Sequence, residues 1–228
     1  MRDNSHYATP AATVATPSVT SERAAQVLRN TYMLLGMSLA FSAAMAWYAM
    51  ASGVSFINPW LVLGVYFGAL IFTNVTRNSG WGILGVFAIT GWLGFTTGPI
   101  IGMFMQSAAG SAIVSMALAS TATIFVVMSG IALVTKKDFS GMTNFLMVGL
   151  IVAFLCGIGA MVFNMPALSL AVSGAFVLLS SMLIMWQTSA IIHGGEDNYI
   201  MATVTLFVSI YNLFMSLLHI LSALSGDD

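Results

Sequence analysis

The chain has 228 residues and a formal net charge of -1, with 59% hydrophobic and only 6% charged residues, against roughly 25% charged in soluble globular domains. So few charges exclude a soluble fold of this size, and the charge balance offers no attraction for nucleic acid. Seventeen Met and twenty-one Gly fit a polytopic membrane protein in a lipid bilayer, where small residues let helix backbones approach closely.

Residues 1–20 are rich in Ala, Thr, Ser and Pro without apolar periodicity. They read as a disordered tail and not as a signal peptide, because the first apolar run begins only at Tyr32 and is long enough to span. Ser21-Glu22-Arg23 reads as a helix start, with Ser21 as N-cap. The seven-helix domain then occupies residues 21–228. A span needs about 20 mostly apolar residues to cross the roughly 30 Å hydrocarbon core. Seven segments qualify, at about 30–51, 57–75, 81–104, 111–135, 142–163, 167–192 and 199–224, so the predicted fold is all-α. Asn58-Pro59 reads as an N-cap followed by Pro at the first helical position, and Met165-Pro166 opens the sixth helix in the same way. Cys156, the one cysteine, lies in an apolar run as a small core hydrophobe with no partner for an intramolecular disulfide.

The six basic residues set the orientation. Arg2, Arg23 and Arg29 precede the first helix, Arg77 lies between the second and third, and Lys136 and Lys137 between the fourth and fifth. The loops around 52–56, 105–110 and 164–166 carry no charge. The basic side is expected to be cytoplasmic. The amino end is then inside, Gly226-Asp227-Asp228 is periplasmic, and the loop between helices six and seven is cytoplasmic.

Gly91, Gly94, Gly98 and Gly102 recur at spacings of three and four, one ridge without side chains on the third helix. The pattern predicts a tightly packed central helix that can kink at Pro99. A flexible element that opens a pathway is the functional alternative. In His193-Gly194-Gly195-Glu196-Asp197-Asn198, His193 stands at the C-terminus of helix six. The Gly pair supplies left-handed capping conformations, Asp197 or Asn198 caps helix seven, and Glu196 lies at its positive end. A surface for a partner, or a latch from these carboxylates to Arg77, is the alternative for that loop. His219, near the outer end of helix seven, reads as packed or snorkelling, or as a proton-sensitive group. Enzyme signatures are missing: no His-Glu-x-x-His, no Gly-x-Ser-x-Gly and no phosphate-binding loop. No span contains Asp or Glu, which excludes an intramembrane protease with two aspartates. No cofactor or metal site is expected.

Thr90-Gly91-Trp92-Leu93-Gly94 with Gly98-Pro99-Ile100-Ile101 resembles the signature of the Bax inhibitor-1 (transmembrane Bax inhibitor motif) family. Val27-Leu28-Arg29-Asn30-Thr31-Tyr32 and the stretch from Ile191 to Ile200 resemble its bacterial inner-membrane branch more closely still. The similarity runs from about residue 25 to the end. It implies a seven-helix fold with helix seven central, wrapped by the other six. For the bacterial branch it implies association with the membrane-anchored AAA+ protease FtsH and its HflK–HflC companions. Such proteins act as slow or poorly extracted substrates that restrain proteolysis of other membrane proteins, and the protease pulls on the amino tail. A twenty-residue disordered tail spans on average some 25 Å.

Other members of the family are pH-sensitive calcium leak channels gated by an aspartate pair, one on helix six and one on helix seven. Two carboxylates that share a proton have their pKa values pushed apart, which makes a pH sensor. Alignment on His193 and on Tyr211-Asn212-Leu213-Phe214 puts Gln187 and Ser209 at those positions, and neither can ionise. The resemblance therefore favours the protease modulator over the leak channel. Gln187 and Ser209 remain a candidate gate-equivalent pair. They are expected to share an interhelical hydrogen bond worth about 0.6–2 kcal/mol, with a pore or ligand role as the alternative. Asn212, Asn74 and Asn144 are candidates for the same polar track.

Overall fold

The computed structural model describes residues 17–55 and 57–226. Its element order is α1 (Pro17–Ala51), α2 (Pro59–Thr76), α3 (Trp81–Phe104), α4 (Gly110–Thr135), a 3-10 turn (Ser140–Met142), α5 (Thr143–Val162), α6 (Pro166–Ile192) and α7 (Tyr199–Ser225). All seven α-helices are long and apolar enough to cross a membrane, and there are no strands among the described residues. The expected tail lies outside the described residues over 1–16. Its last four positions are helical, because Pro17 is compatible with a first helical turn and nothing before Ser21 breaks the helix. Ser21 is therefore inside α1 and is not its N-cap. At α2 and α6 the sequence signals hold: Asn58 accepts a hydrogen bond from the Trp60 amide, and Pro59 and Pro166 open their helices.

Helix α7 is central. It packs against α6, α4, α1 and α3, while α2 lies on α3 and α5 lies on α6 as an outer layer. The main core gathers Leu206, Phe207 and Leu213 of α7 with Leu35 of α1, Ile89 of α3 and Ile184 of α6. The large exposed apolar side chains, such as Val75, Val126, Val134 and Val152, point outward from the bundle. In a bilayer this surface needs no protein cover, because lipid tails are as apolar as the side chains.

With no water-driven collapse inside a membrane, close van der Waals packing holds the helices together. The glycine ridge of α3 supplies it against α1. A Cβ at Gly91 would meet the Phe41 ring, one at Gly94 the Ser42 carbonyl, and one at Gly98 the Ala46 carbonyl and Ala49 Cβ. Gly102 is at ordinary contact distance from Met50, 3.5 Å from a Cβ placed there. The ridge is thus a close seam over three of its four glycines, backbone against backbone at Gly94 and Gly98 and backbone against the Phe41 ring at Gly91, and α3 runs on as helix through Pro99. Gly94→Ala should lower stability by about 1–3 kcal/mol, as overpacking of a rigid contact does. Gly64→Ala, where the added methyl meets nothing within 4 Å, should raise it by about 0.5–1 kcal/mol. Thermal unfolding of the two purified variants in one detergent checks the contrast.

Candidate functional site

The α6–α7 loop ties together three inter-helix loops at one end of the bundle. Helix α6 stops at Ile192 because Gly194 turns left-handed, at φ 73°. Gly195 is not in that region, so only one of the Gly pair is conformationally required. Asn198, and not Asp197, caps α7: its Oδ1 accepts from the amides of Ile200 and Met201 at 3.1 and 3.0 Å. The same side chain reaches across, its Nδ2 donating to the Arg77 carbonyl at 3.1 Å and to Asn78 Oδ1 at 3.0 Å. Glu196 accepts from the Asn198 amide at 2.9 Å, which holds the cap in place. Arg77 therefore meets this loop through its backbone. No ion pair joins its guanidinium to Glu196 or Asp197 among the described residues, since a cap built from Asn198 satisfies both loops without charge.

On the other side, His193 and Ser189 fasten the α4–α5 loop. His193 Nε2 lies 3.1 Å from the Lys136 carbonyl, and its Nδ1 lies 2.9 Å from the Ser189 carbonyl. Nδ1 also lies 3.3 Å from Ser189 Oγ, and the tautomer sets which ring nitrogen donates. Ser189 Oγ donates to the Lys137 carbonyl at 2.9 Å and accepts from the Phe139 amide at 3.2 Å. The chain reverses at Lys136, a non-glycine residue at φ 49°. Asp138 completes the turn. The Ser140 amide and hydroxyl beside it, with His193 adding to the effect, hold its carboxyl below the ordinary value near 3.8. A depressed carboxylate contributes to the turn above its ordinary pKa, and the contribution is lost only as pH falls through the lowered value.

Beneath this hub the bundle interior is polar but uncharged. Among the described residues every buried polar side chain is Ser, Thr or Gln. Gln187 and Ser209 are each 1% exposed, yet they do not bond to one another. Ser209 Oγ donates to the Thr205 carbonyl of its own helix at 2.7 Å, and Gln187 Nε2 has no partner. A short hydroxyl is satisfied locally by the preceding turn, so the expected interhelical bond is replaced by an intrahelical one. Cross-helix polar contacts form elsewhere: Tyr32 OH with Thr188 Oγ1 at 3.2 Å, and Thr203 Oγ1 to the Thr31 carbonyl at 3.3 Å.

Thr31 and Ser38 of α1, Ser180 of α6 and Ser129 of α4 also bury unpartnered hydroxyls. Thr31 and Ser38 stand two turns apart on one face of α1, and Ser180 and Gln187 two turns apart on one face of α6. Sequence reasoning singled out Gln187 alone of these four. The missed signal was the repetition of small polar residues at heptad-like spacing inside apolar helices. Of the further track candidates, Asn74 and Asn144 are exposed and Asn212 is half-buried. His219 is exposed on α7, with Nδ1 2.8 Å from Ser173 Oγ.

These features define a class: a multi-pass helical membrane protein with a loop hub at one end and no buried acidic or basic side chain among its described residues. The family model described as Inhibitor of apoptosis-promoting Bax1 matches residues 24–226, and the chain belongs to that family, the Bax inhibitor-1 family. It is 45% identical over 206 residues to the modulator of FtsH protease YccA of Escherichia coli K12, covering 89% of this chain and 92% of the relative. An uncharacterized protein of Pasteurella multocida is 47% identical over 203 residues, with coverage of 89% and 92%. One of Pseudomonas aeruginosa is 45% identical over 202 residues, with 89% and 91%. The relative from Escherichia coli O6:H1, 45% identical over 206 residues, is called an inner membrane protein, and the inner membrane is the location of this chain.

Two substitutions separate the roles of hub and interior. Ser189→Ala should weaken the α4–α5 anchor by about 0.5–1.5 kcal/mol per lost bond, and hydrogen exchange at the Phe139 amide should quicken accordingly. Gln187→Leu removes an unpartnered buried amide. It should leave stability unchanged or raise it by about 1–3 kcal/mol, measured by unfolding in detergent.

Proposed function

We propose that this chain modulates the FtsH protease, as a slowly extracted substrate that restrains proteolysis of other membrane proteins. The observation that carries the reading is the 45% identity, over nine-tenths of both chains, to a relative named as a modulator of that protease. The amino end and the α2–α3, α4–α5 and α6–α7 loops face the cytoplasm in this reading, because Arg77, Lys136 and Lys137 all lie on that side. The protease takes hold of the amino-terminal tail, residues 1–20, with HflK–HflC as companions of the assembly. A pull on the tail reaches α1 first. The close packing of α1 on Gly91, Gly94 and Gly98 resists extraction, and the loop hub at Asn198 and His193 is the surface offered to the partner.

The tail and the partner are tested together. Deleting residues 2–20 should slow FtsH-dependent turnover of this protein several-fold in a chase experiment, and Gly94→Ala should quicken it. Crosslinking pull-down from native membranes should recover the protease. Unchanged turnover of the deletion variant would overturn the tail as handle, and failure to recover the protease would overturn the partner.

A cation leak is the second reading, favoured by the unpartnered polar atoms of Thr31, Ser38, Ser180 and Gln187 inside the bundle. Against it stands the lack of any carboxylate at positions 187 and 209. In liposomes, calcium flux should be near background for the natural chain and should rise in a Gln187→Asp, Ser209→Asp double variant. Robust flux from the natural chain would reverse the order of the two readings.

A further inference from the structure

A cavity of about 340 Å³ lies between α1 and α4. Helix α1 packs on α3 and α7, and α4 packs on α6 and α7, but α1 and α4 do not form a packed pair. The gap between them is therefore a sideways mouth, and its rim carries the exposed Trp47 and Leu118, at 67% and 54% exposure. The floor is α7, where Phe207 and Phe214 are shielded from the surroundings at 2% and 8% exposure. In a chain that spans a bilayer, the medium at such a mouth is lipid.

Length and chemistry select the occupant. The α1 wall runs from Leu39 to Met50, roughly 17 Å at about 1.5 Å per residue, which is close to half of the roughly 30 Å hydrocarbon core. Met50 is next to the end of α1 at Ala51, and the α4 wall, at Val114 and Leu118, is near the start of that helix. The cavity thus begins at the membrane face holding the α1–α2 and α3–α4 loops and ends near the bilayer middle. It spans one leaflet. Only Ser42, Thr97, Thr121 and Tyr211 bring hydroxyls to the wall, and two of these are already committed: Thr97 Oγ1 donates to the Leu93 carbonyl and Thr121 Oγ1 to the Ala117 carbonyl, each at 2.7 Å. A bound water needs about two to four polar partners, and a file of waters along a wall that is otherwise apolar would find few, whereas a flexible hydrocarbon chain needs none. A second transmembrane helix is too large for the space, since a helix with its side chains is about 10–12 Å across and the cavity holds only about 340 Å³.

We propose that this cavity binds one phospholipid acyl chain, inserted from the leaflet at the α1–α2 loop face, with its end against α7. The site is independent of the protease reading, because it concerns lipid bound to the chain by itself.

The test uses the full chain in proteoliposomes containing a phospholipid with a photoactivatable diazirine in one acyl chain, followed by peptide mapping. Label is expected on Phe207, Ile210 and Phe214 of α7, which line this cavity and are otherwise buried, as well as on outward residues such as Val134 and Val152. Two variants from opposite walls, Ala46→Phe and Leu118→Trp, should each lower the α7 label about tenfold, a loss equivalent to about 1.4 kcal/mol. The outward label should be unchanged, which also reports that the bundle is intact. Ala46→Leu serves as the milder filler, with a smaller loss in the same direction. Absence of α7 label in the natural chain would overturn the proposal, as would α7 label that no filling variant reduces. A polypeptide crosslinked to the same α7 segment in native membranes, in place of lipid, would overturn it too.

Discussion

The contact on which the bundle depends is the seam between α1 and α3. Inside a bilayer, apolar side chains gain nothing by leaving lipid for protein, so helices associate where their backbones fit closely. At Gly91, Gly94 and Gly98 the missing side chains let α1 settle directly on α3, with carbonyls of Ser42 and Ala46 where a Cβ would stand. Once α1 is committed to α3, the neighbouring side of the central α7 is left to α4, and α1 and α4 stay apart across it. The seam and the lateral cavity are two consequences of one packing choice.

The polar interior follows a different logic. An unsatisfied polar group in hydrocarbon is costly, and most buried hydroxyls here avoid that cost within their own helix. Thr73, Thr97, Thr121, Thr188 and Ser209 each donate to a carbonyl four residues earlier. The atoms without partners, on Thr31, Ser38, Ser129, Ser180 and Gln187, are exceptions. The helices α1 and α6, which carry four of them, are packed on each other and on α7, so the bundle spends its imperfect satisfaction in one region.

The loop hub shows how a chain with few charges still fixes its ends. Asn198 closes the first turn of α7 and grips the α2–α3 loop with the same amide group, and His193 closes α6 while gripping the α4–α5 loop. Caps, one imidazole and the carboxylates of Glu196 and Asp138, each accepting from a backbone amide, do here what ion pairs do in soluble proteins. The basic side chains of these loops, Arg77, Lys136 and Lys137, are exposed and available for orientation or for a partner.

Much of this was legible in the residues themselves. Seven helices of membrane length, the proline starts and the glycine ridge are local properties, because apolar runs of membrane length and missing side chains act before any tertiary contact forms. The family was legible for the same reason, since its motifs are contiguous. Other features depended on the three-dimensional path. Only tertiary packing decided that the ridge faces α1, that Ser209 turns back to Thr205 while Gln187 is left unpartnered, and that Asn198 finds Arg77 over a hundred residues away. Hydrogen-bond partners between distant helices depend on tilt and azimuth to within an ångström, and periodicity along one helix does not carry that information. The lateral cavity is the extreme case. It is a space bounded by four helices, and no single segment of the sequence records it.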